Sequence, residues 1–338
     1  MSTKSGQEGG QHDPVGSVAE RACRKLERDL GPDLMALLRD PATQDVLVNP
    51  DGQVWIERHG SPMECVAALS ASRRQAVIET VAGFHGLQID LKNPTIDAEL
   101  PIDGSRFAGE LPPVVEAPSF SIRKHASAVF SLDEYVRQDT MSDAQRQYLQ
   151  QAIAARKSIL VIGGTGSGKT TLVNALLKEM VRQDASQRIL VVEDTRELQC
   201  EAPNRVHLRT SPTVSLTDLV RGTLRRRPDR IIVGEVRGPE ALDLLMVLNT
   251  GHPGGIATLH ANDAASGLTR LSTLVSMHPH APREIPPLIA DAVDLLVFIE
   301  RTHSTPTPRK VSEILELHGF ENGSYVVNTP LFIKGDPP

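Results

Sequence analysis

Eight consecutive residues, Gly163-Gly164-Thr165-Gly166-Ser167-Gly168-Lys169-Thr170, fit the spacing G-x-x-x-x-G-K-[ST]. Residue types in that order bind the phosphates of a nucleotide. Glycines let successive backbone N–H groups turn inward around phosphate oxygens. Lys169 then reaches the β- and γ-phosphates, and the Thr170 hydroxyl ligates Mg²⁺. This chemistry needs a strand before the loop and a helix after it, so that the helix N-terminus faces the anion. Ile159–Ile162 reads as the strand and Thr171–Met180 as the helix. Gly163 through Thr171 is therefore the expected cradle, with ATP and Mg²⁺ as its ligands.

Two further apolar runs end in acids. Arg230-Ile-Ile-Val-Gly234-Glu235 places a carboxylate at a strand C-terminus, where a nucleotide fold aims at the phosphates. Glu235 is read as polarising the attacking water or holding a water on Mg²⁺. Glycine and glutamate stand where such a strand usually carries aspartate, which leaves more of the direct metal contact to Thr170. In Val191-Val192-Glu193-Asp194-Thr195-Arg196-Glu197, Glu193 positions water or magnesium, Asp194 orients its neighbours, and Glu197 reads as structural. The expected metal set is Thr170, Glu193 and Glu235. His252 and His260 flank another strand, and His260 is the stronger candidate for sensing the γ-phosphate. A γ-phosphate in a multi-subunit motor also needs a cation from elsewhere. Arg106 and Arg123 follow turn-and-strand segments early in the chain, while Arg225, Arg226 and Arg227 read equally well as a solvated run.

The elements that must position these residues fall into two groups. Residues 1–17 are polar and Gly/Gln/Ser-rich and read as a disordered tail. Residues 18–130 read as a small α+β domain: a helix stopped at Gly31-Pro32, a hairpin over Asp45–Glu57 turning at Asn49-Pro50-Asp51-Gly52, an amphipathic helix over Ser72–Phe84, then short strands broken at Asp103-Gly104 and Leu111-Pro112-Pro113. Residues 131–141 read as a linker. From Ser142, whose Gln145 three residues on makes a capping box, short apolar strands alternate with helices to residue 338. That rhythm is an α/β domain with a mostly parallel sheet. It closes on strand-like segments around an Asn322-Gly323 turn.

The chain has 338 residues, enough for roughly two domains. No apolar run approaches the roughly 20 residues of a membrane-spanning helix, and no secretory signal pattern is read at the start. Acids exceed bases by 42 to 36, and the pI is near 6.0, which argues against a general nucleic-acid coat. Aromatics are 3%, too few for an aromatic-bearing DNA track. Cys23, Cys65 and Cys200 are far apart, so they form no four-cysteine zinc site and read as unpaired, mostly buried thiols. Arg21, Arg24, Lys25 and Arg28 give the first helix a basic face, either solvated or touching anionic lipid.

Four segments occur in one order: GGTGSGKT, VVEDTRE, IIVGEVRG and TGHPGGIATLHAN. This set resembles the secretion traffic ATPases, the motors of type IV secretion, type II secretion and type IV pili. DVLVNPDGQVWIE, Asp103-Gly-Ser-Arg106 and Pro118-Ser-Phe-Ser-Ile-Arg123-Lys extend the resemblance, which covers about residues 40–325 and is nearest the TrbB-type conjugal-transfer branch. The resemblance implies a RecA-like P-loop domain behind a smaller N-terminal domain, assembled as a hexamer with ATP at the interdomain cleft. It implies Arg106 and Arg123 at the nucleotide phosphates, Glu193 and Glu235 as the catalytic acids, and His260 as the histidine-box residue. It implies a cytoplasmic protein that meets inner-membrane and coupling components of a conjugation machine at the cytoplasmic face of the membrane. A RecA-like DNA motor and a nucleotide-gated scaffold with little turnover are the alternatives.

Overall fold

A computed structural model describes residues 14–330, except 59–60, 125–128, 212 and 303–308. Of the expected tail, residues 1–13 lie outside this range, and the chain is helical from Pro14. It divides into two compact units, Met1–Ser127 and Ala128–Pro338.

The first unit begins with α1 (Pro14–Arg39), broken where Gly31 takes a φ of 82° before Pro32. Strands β1 (Thr43–Val48), β2 (Gln53–Arg58) and β3 (Glu64–Ala68), helix α2 (Ala71–Phe84), and strands β4 (Thr95–Glu99), β5 (Arg106–Glu110) and β6 (Ser119–Arg123) follow. The strands form one sheet in the order β3-β2-β1-β6-β5-β4, antiparallel throughout. Its apolar positions alternate. Val46, Val48, Val54, Ile56, Phe107, Phe120 and Ile122 bury one face against Leu26, Leu30 and Leu34 of α1 and Val77, Ile78 and Val81 of α2. The alternate residues, Arg106 and Arg123 among them, take the other face. Strand β3 is absent from the sequence reading because it is an edge strand with almost no buried residue, so no alternation marks it.

The second unit holds α3 (Leu132–Arg137), α4 (Asp143–Ala154), β7 (Ile159–Gly163), α5 (Lys169–Gln183), β8 (Ile189–Glu193), β9 (Arg205–Arg209), α6 (Leu216–Thr223), β10 (Arg230–Val236), α7 (Glu240–Asn249), β11 (Ile256–His260), α8 (Ala264–Ser276), α9 (Ile285–Ala292), β12 (Leu295–Arg301), β13 (Arg309–Glu321) and β14 (Ser324–Asn328). The span expected to be a linker carries α3. Ser131 and Glu134 close a capping box on it, and Leu132 and Tyr135 are buried. The sheet order is β14-β13-β12-β7-β11-β10-β8-β9. The six strands from β12 to β9 are parallel, and β13 and β14 are antiparallel additions. β7 and β8 are buried at every residue, as expected for parallel strands covered on both faces. Ile159 and Val161 pack with α3, α4 and α5; Leu160 and Ile162 pack with the α6–α9 side. The chain thus combines helices with one antiparallel sheet in the first unit and one mixed sheet in the second. Of the cysteines, only Cys200 is buried; Cys23 is half-buried and Cys65 is exposed.

Candidate functional site

Because β7, β11, β10 and β8 run in parallel, their C-terminal ends share one edge, where open α/β sheets bind ligands. Gly163 ends β7 and stands opposite His260, the last residue of β11. Glu235 lies near the end of β10 and Glu193 ends β8. All four sequence-predicted centres therefore gather at one edge of one sheet.

The loop from Gly163 leads into α5 through Gly168, whose φ of 99° suits glycine and whose lack of a side chain leaves the first turn of α5 without a side-chain cap. A Cβ at Gly168 would also stand 3.0 Å from Cδ of Arg309 on β13. Arg309 Nε donates to the Gly166 carbonyl at 3.4 Å, so β13 holds this turn from outside. Thr165 and Gly166 are exposed, while Gly163 and Ser167 are buried. Lys169 Nζ donates to the carbonyls of Gly163 and Gly164 at 3.0 and 2.9 Å, arching the side chain over its own loop. Burial lowers its ammonium below the usual lysine range, opposed by the charges of Glu235 and Glu197. The first turn of α5 contains no acid. Together these are the elements of an anion site: a helix N-terminus, turn N–H groups and a partly desolvated ammonium.

The Thr170 hydroxyl donates to Glu197 Oε2 at 3.1 Å. Glu193 is 3% exposed, and its Oε1 accepts from the N–H groups of Glu197 and Leu198 at 3.1 and 2.8 Å. It thereby fixes the segment that carries Glu197 to Thr170. Burial pushes the Glu193 carboxyl up to about 7, with the two N–H groups pulling it back down. Gly234 makes room for it: a Cβ there would lie 3.0 Å from Glu193 Cγ. Pairing of β10 with β11 shifts register between Val233 and Val236, and Thr258 Oγ1 holds the Gly234 carbonyl at 2.6 Å. Glu235 projects from this irregularity and is paired with Arg237, whose Nε donates to Oε2 at 2.9 Å. Arg237 also lies 4.0 Å from Asp194.

The histidines separate. His260 is exposed beside the loop, whereas His252 is half-buried and its Nε2 is a buried atom with no hydrogen-bond partner. Ser167 Oγ is likewise buried and unpartnered. Arg106 and Arg123 belong to the first unit, opposite each other on β5 and β6. Glu197 reads from the sequence as structural, and Arg237 and Arg309 carry no expected role there. Glu197 ends the acidic segment and Arg237 follows Glu235 by two residues, so a charge near a strand end was visible for both; Arg309 has no local signal. Among the described residues, no group of three or more His, Cys, Asp or Glu is placed to hold a metal ion by itself. Mg²⁺ takes one or two protein oxygens and completes its shell with substrate phosphates and water, and Thr170 with Glu197 offers that partial set.

The family model described as "Type II/IV secretion system protein" matches residues 28–303, which include both units' candidate residues. The chain belongs to this family. It is 46% identical over 309 residues to a probable conjugal transfer protein TrbB of Sinorhizobium fredii, covering 91% of this chain and 94% of that one. It is 35% identical over 305 residues to the type IV secretion system protein PtlH of Bordetella pertussis, covering 80% and 89%. Among solved structures, the ATPase DotB of Legionella pneumophila shares the fold at a TM-score of 0.57 and 22% identity, covering 92% of this chain and 81% of that one. The pilus retraction motor PilT with bound ADP shares it at 0.63 and 18%, covering 90% and 82%. Among the described residues, no helix is long and apolar enough to cross a membrane.

Proposed function

We propose that the chain is an Mg²⁺-dependent ATPase, a hexameric motor of a type IV secretion or conjugation system that powers pilus assembly or transfer of DNA–protein substrates. The observation that carries this reading is the loop before α5, with Lys169 arched over it and Thr170 joined to Glu197. The second unit is then a RecA-like P-loop domain and the first its smaller N-terminal domain. Backbone N–H groups of Gly163–Thr171 bind the phosphates, and Lys169 exchanges its loop carbonyls for β- and γ-oxygens. Of the expected metal set, Thr170 would hold Mg²⁺ with Glu197 in place of Glu193 and Glu235, whose carboxylates are taken by backbone N–H groups and by Arg237; the ion when bound neutralises phosphate charge. Glu193 anchors the Glu197 segment. Glu235 orients the attacking water once a phosphate competes for Arg237, and His260 stands beside the loop to report the γ-phosphate. Arg106 and Arg123 supply further cations to nucleotide phosphates. We place the protein in the cytoplasm, working with inner-membrane and coupling components of such a machine; the names of its conjugal-transfer and secretion relatives support the kind of machine.

The test is ATP hydrolysis by the full chain with Mg²⁺. Lys169→Ala should lose at least about 100-fold in turnover, the scale of removing a stabiliser of developing charge, with unchanged circular dichroism. Glu235→Gln should still bind ATP and lose hydrolysis. Wild-type turnover by Lys169→Ala would remove the loop from the chemistry.

A further inference from the structure

On the face of the first unit's sheet turned away from α1 and α2, one row of directly opposed residues is entirely charged. Glu57 on β2 stands opposite Asp45 on β1, Asp45 opposite Arg123 on β6, Arg123 opposite Arg106 on β5, and Arg106 opposite Glu99 on β4. Residues opposed in this way share a face with Cβ atoms about 5 Å apart, and like charges so placed repel. The two arginines are therefore set against each other, with an acid on either side of the pair. Arg123 donates from Nε to Asp45 Oδ1 at 2.8 Å and from Nη2 to Oδ2 at 3.4 Å, a two-point fork. The Asp45 side chain is 12% exposed, whereas that of Arg123 is 58% exposed. A withdrawn carboxylate gripping an exposed guanidinium fixes its plane and direction without hiding it.

We propose that Asp45, with Glu99 at the other end of the pair, is a positioning residue that holds Arg123 beside Arg106 as a two-guanidinium clamp for a phosphate oxyanion. The inference rests on the reading that both arginines serve the nucleotide. A guanidinium oriented beforehand loses less side-chain freedom when the anion arrives, and the acids offset the repulsion that would splay the pair.

The experiment is ATP hydrolysis over a range of ATP concentrations, using the full chain, for the wild type, Asp45→Asn, Asp45→Glu, Arg123→Ala and the Asp45→Asn/Arg123→Ala double variant, with thermal melts alongside. Asp45→Asn should lower kcat/KM about tenfold, within the range of couplings between contacting residues. Asp45→Glu should recover part of the loss, and the double variant should be no worse than Arg123→Ala alone. Full additivity in the double variant, with a loss that tracks the melting temperature, would overturn the proposal in favour of a purely structural Asp45. Wild-type kinetics in Asp45→Asn beside an impaired Arg123→Ala would overturn it and leave the arginine's role standing. Wild-type kinetics in Arg123→Ala beside an inactive Lys169→Ala would remove the arginines from the nucleotide reading and the clamp with them. Should Asp45→Asn fail to fold, Asp45→Glu with Arg123→Ala completes the cycle on the same pair.

Discussion

At the scale of single residues, the acids at the sheet edge are distinguished by what surrounds them. Glu193 is buried and bound to two backbone N–H groups, while Glu235 is paired to an arginine. An ordinary glutamate ionises near 4.5; burial holds the proton on Glu193 to about 7. Between these values the native state binds more protons than the unfolded chain, so stability contributed by this group falls as pH rises from about 4.5 to 7. Glu193→Gln removes the titration and keeps an acceptor for the N–H groups of Glu197 and Leu198. Its melting temperature relative to the wild type should therefore climb between pH 5 and pH 8. A constant difference over that range would mean that Glu193 is ionised throughout in the native protein. Lys169 and Thr170 were legible in the sequence because their spacing alone defines the motif. Glu197 was not, because its proximity to Thr170 depends on how Glu193 folds the intervening turn, and Arg309 reaches the loop only because β13 pairs with β12, the neighbour of β7.

At the scale of elements, legibility followed burial. The parallel strands were visible as apolar runs and the hairpin as alternation around Asn49-Pro50-Asp51-Gly52, since each buries a face that the sequence must encode. β3 and β9 are edge strands whose residues are mostly exposed or half-buried, and α3 is only six residues long. Such elements are fixed by neighbours and caps rather than by periodicity. Arg230 shows how tertiary ties of this kind set an element in place. It opens β10 and is 2% exposed. Its Nε donates to Gln187 Oε1 at 2.8 Å, Nη1 to the Gly254 carbonyl at 3.1 Å and Nη2 to the Ile153 carbonyl at 2.7 Å. Burial draws it down to about 10, still charged at neutral pH. One guanidinium thus ties the start of β10 to the end of α4 and the turns before β8 and β11. Arg230→Ala strands these acceptors, each at a cost of roughly 1–3 kcal/mol when buried. A total of about 3 kcal/mol should lower the melting temperature of the unit by roughly 6–12 °C. A shift below about 2 °C would mean that water replaces the guanidinium without penalty.

At the scale of the whole molecule, the question is whether one chain supplies every charge the reaction needs. Among the described residues of the second unit, Lys169 meets loop carbonyls, Arg237 meets Glu235 and Arg309 meets the Gly166 carbonyl, and on the proposed reading the first two pass to phosphate oxygens when nucleotide binds. If the chain hydrolyses ATP as proposed, a further cation supplied to the transferred phosphoryl group would contribute about 10³-fold or more, the scale of a supplied arginine in nucleotide hydrolases. Arg106 and Arg123 are the candidates, on a separate unit of the fold. If they act between copies of the chain, catalysis is a property of the ring and turnover per chain must depend on protein concentration. Specific ATPase activity should then rise at least about tenfold as light scattering on the same samples, with Mg-ATP present, records the passage from monomer to a six-chain species; the margin lies well below the full effect of a supplied arginine. Arg123→Ala should flatten that rise without preventing assembly, because its loss removes a catalytic charge and leaves the packing surfaces intact. Activity that stays constant per chain in a monomer would place a complete site in one copy, and stimulation of that monomer by single-stranded DNA would then favour a DNA-tracking motor over one built into a secretion machine.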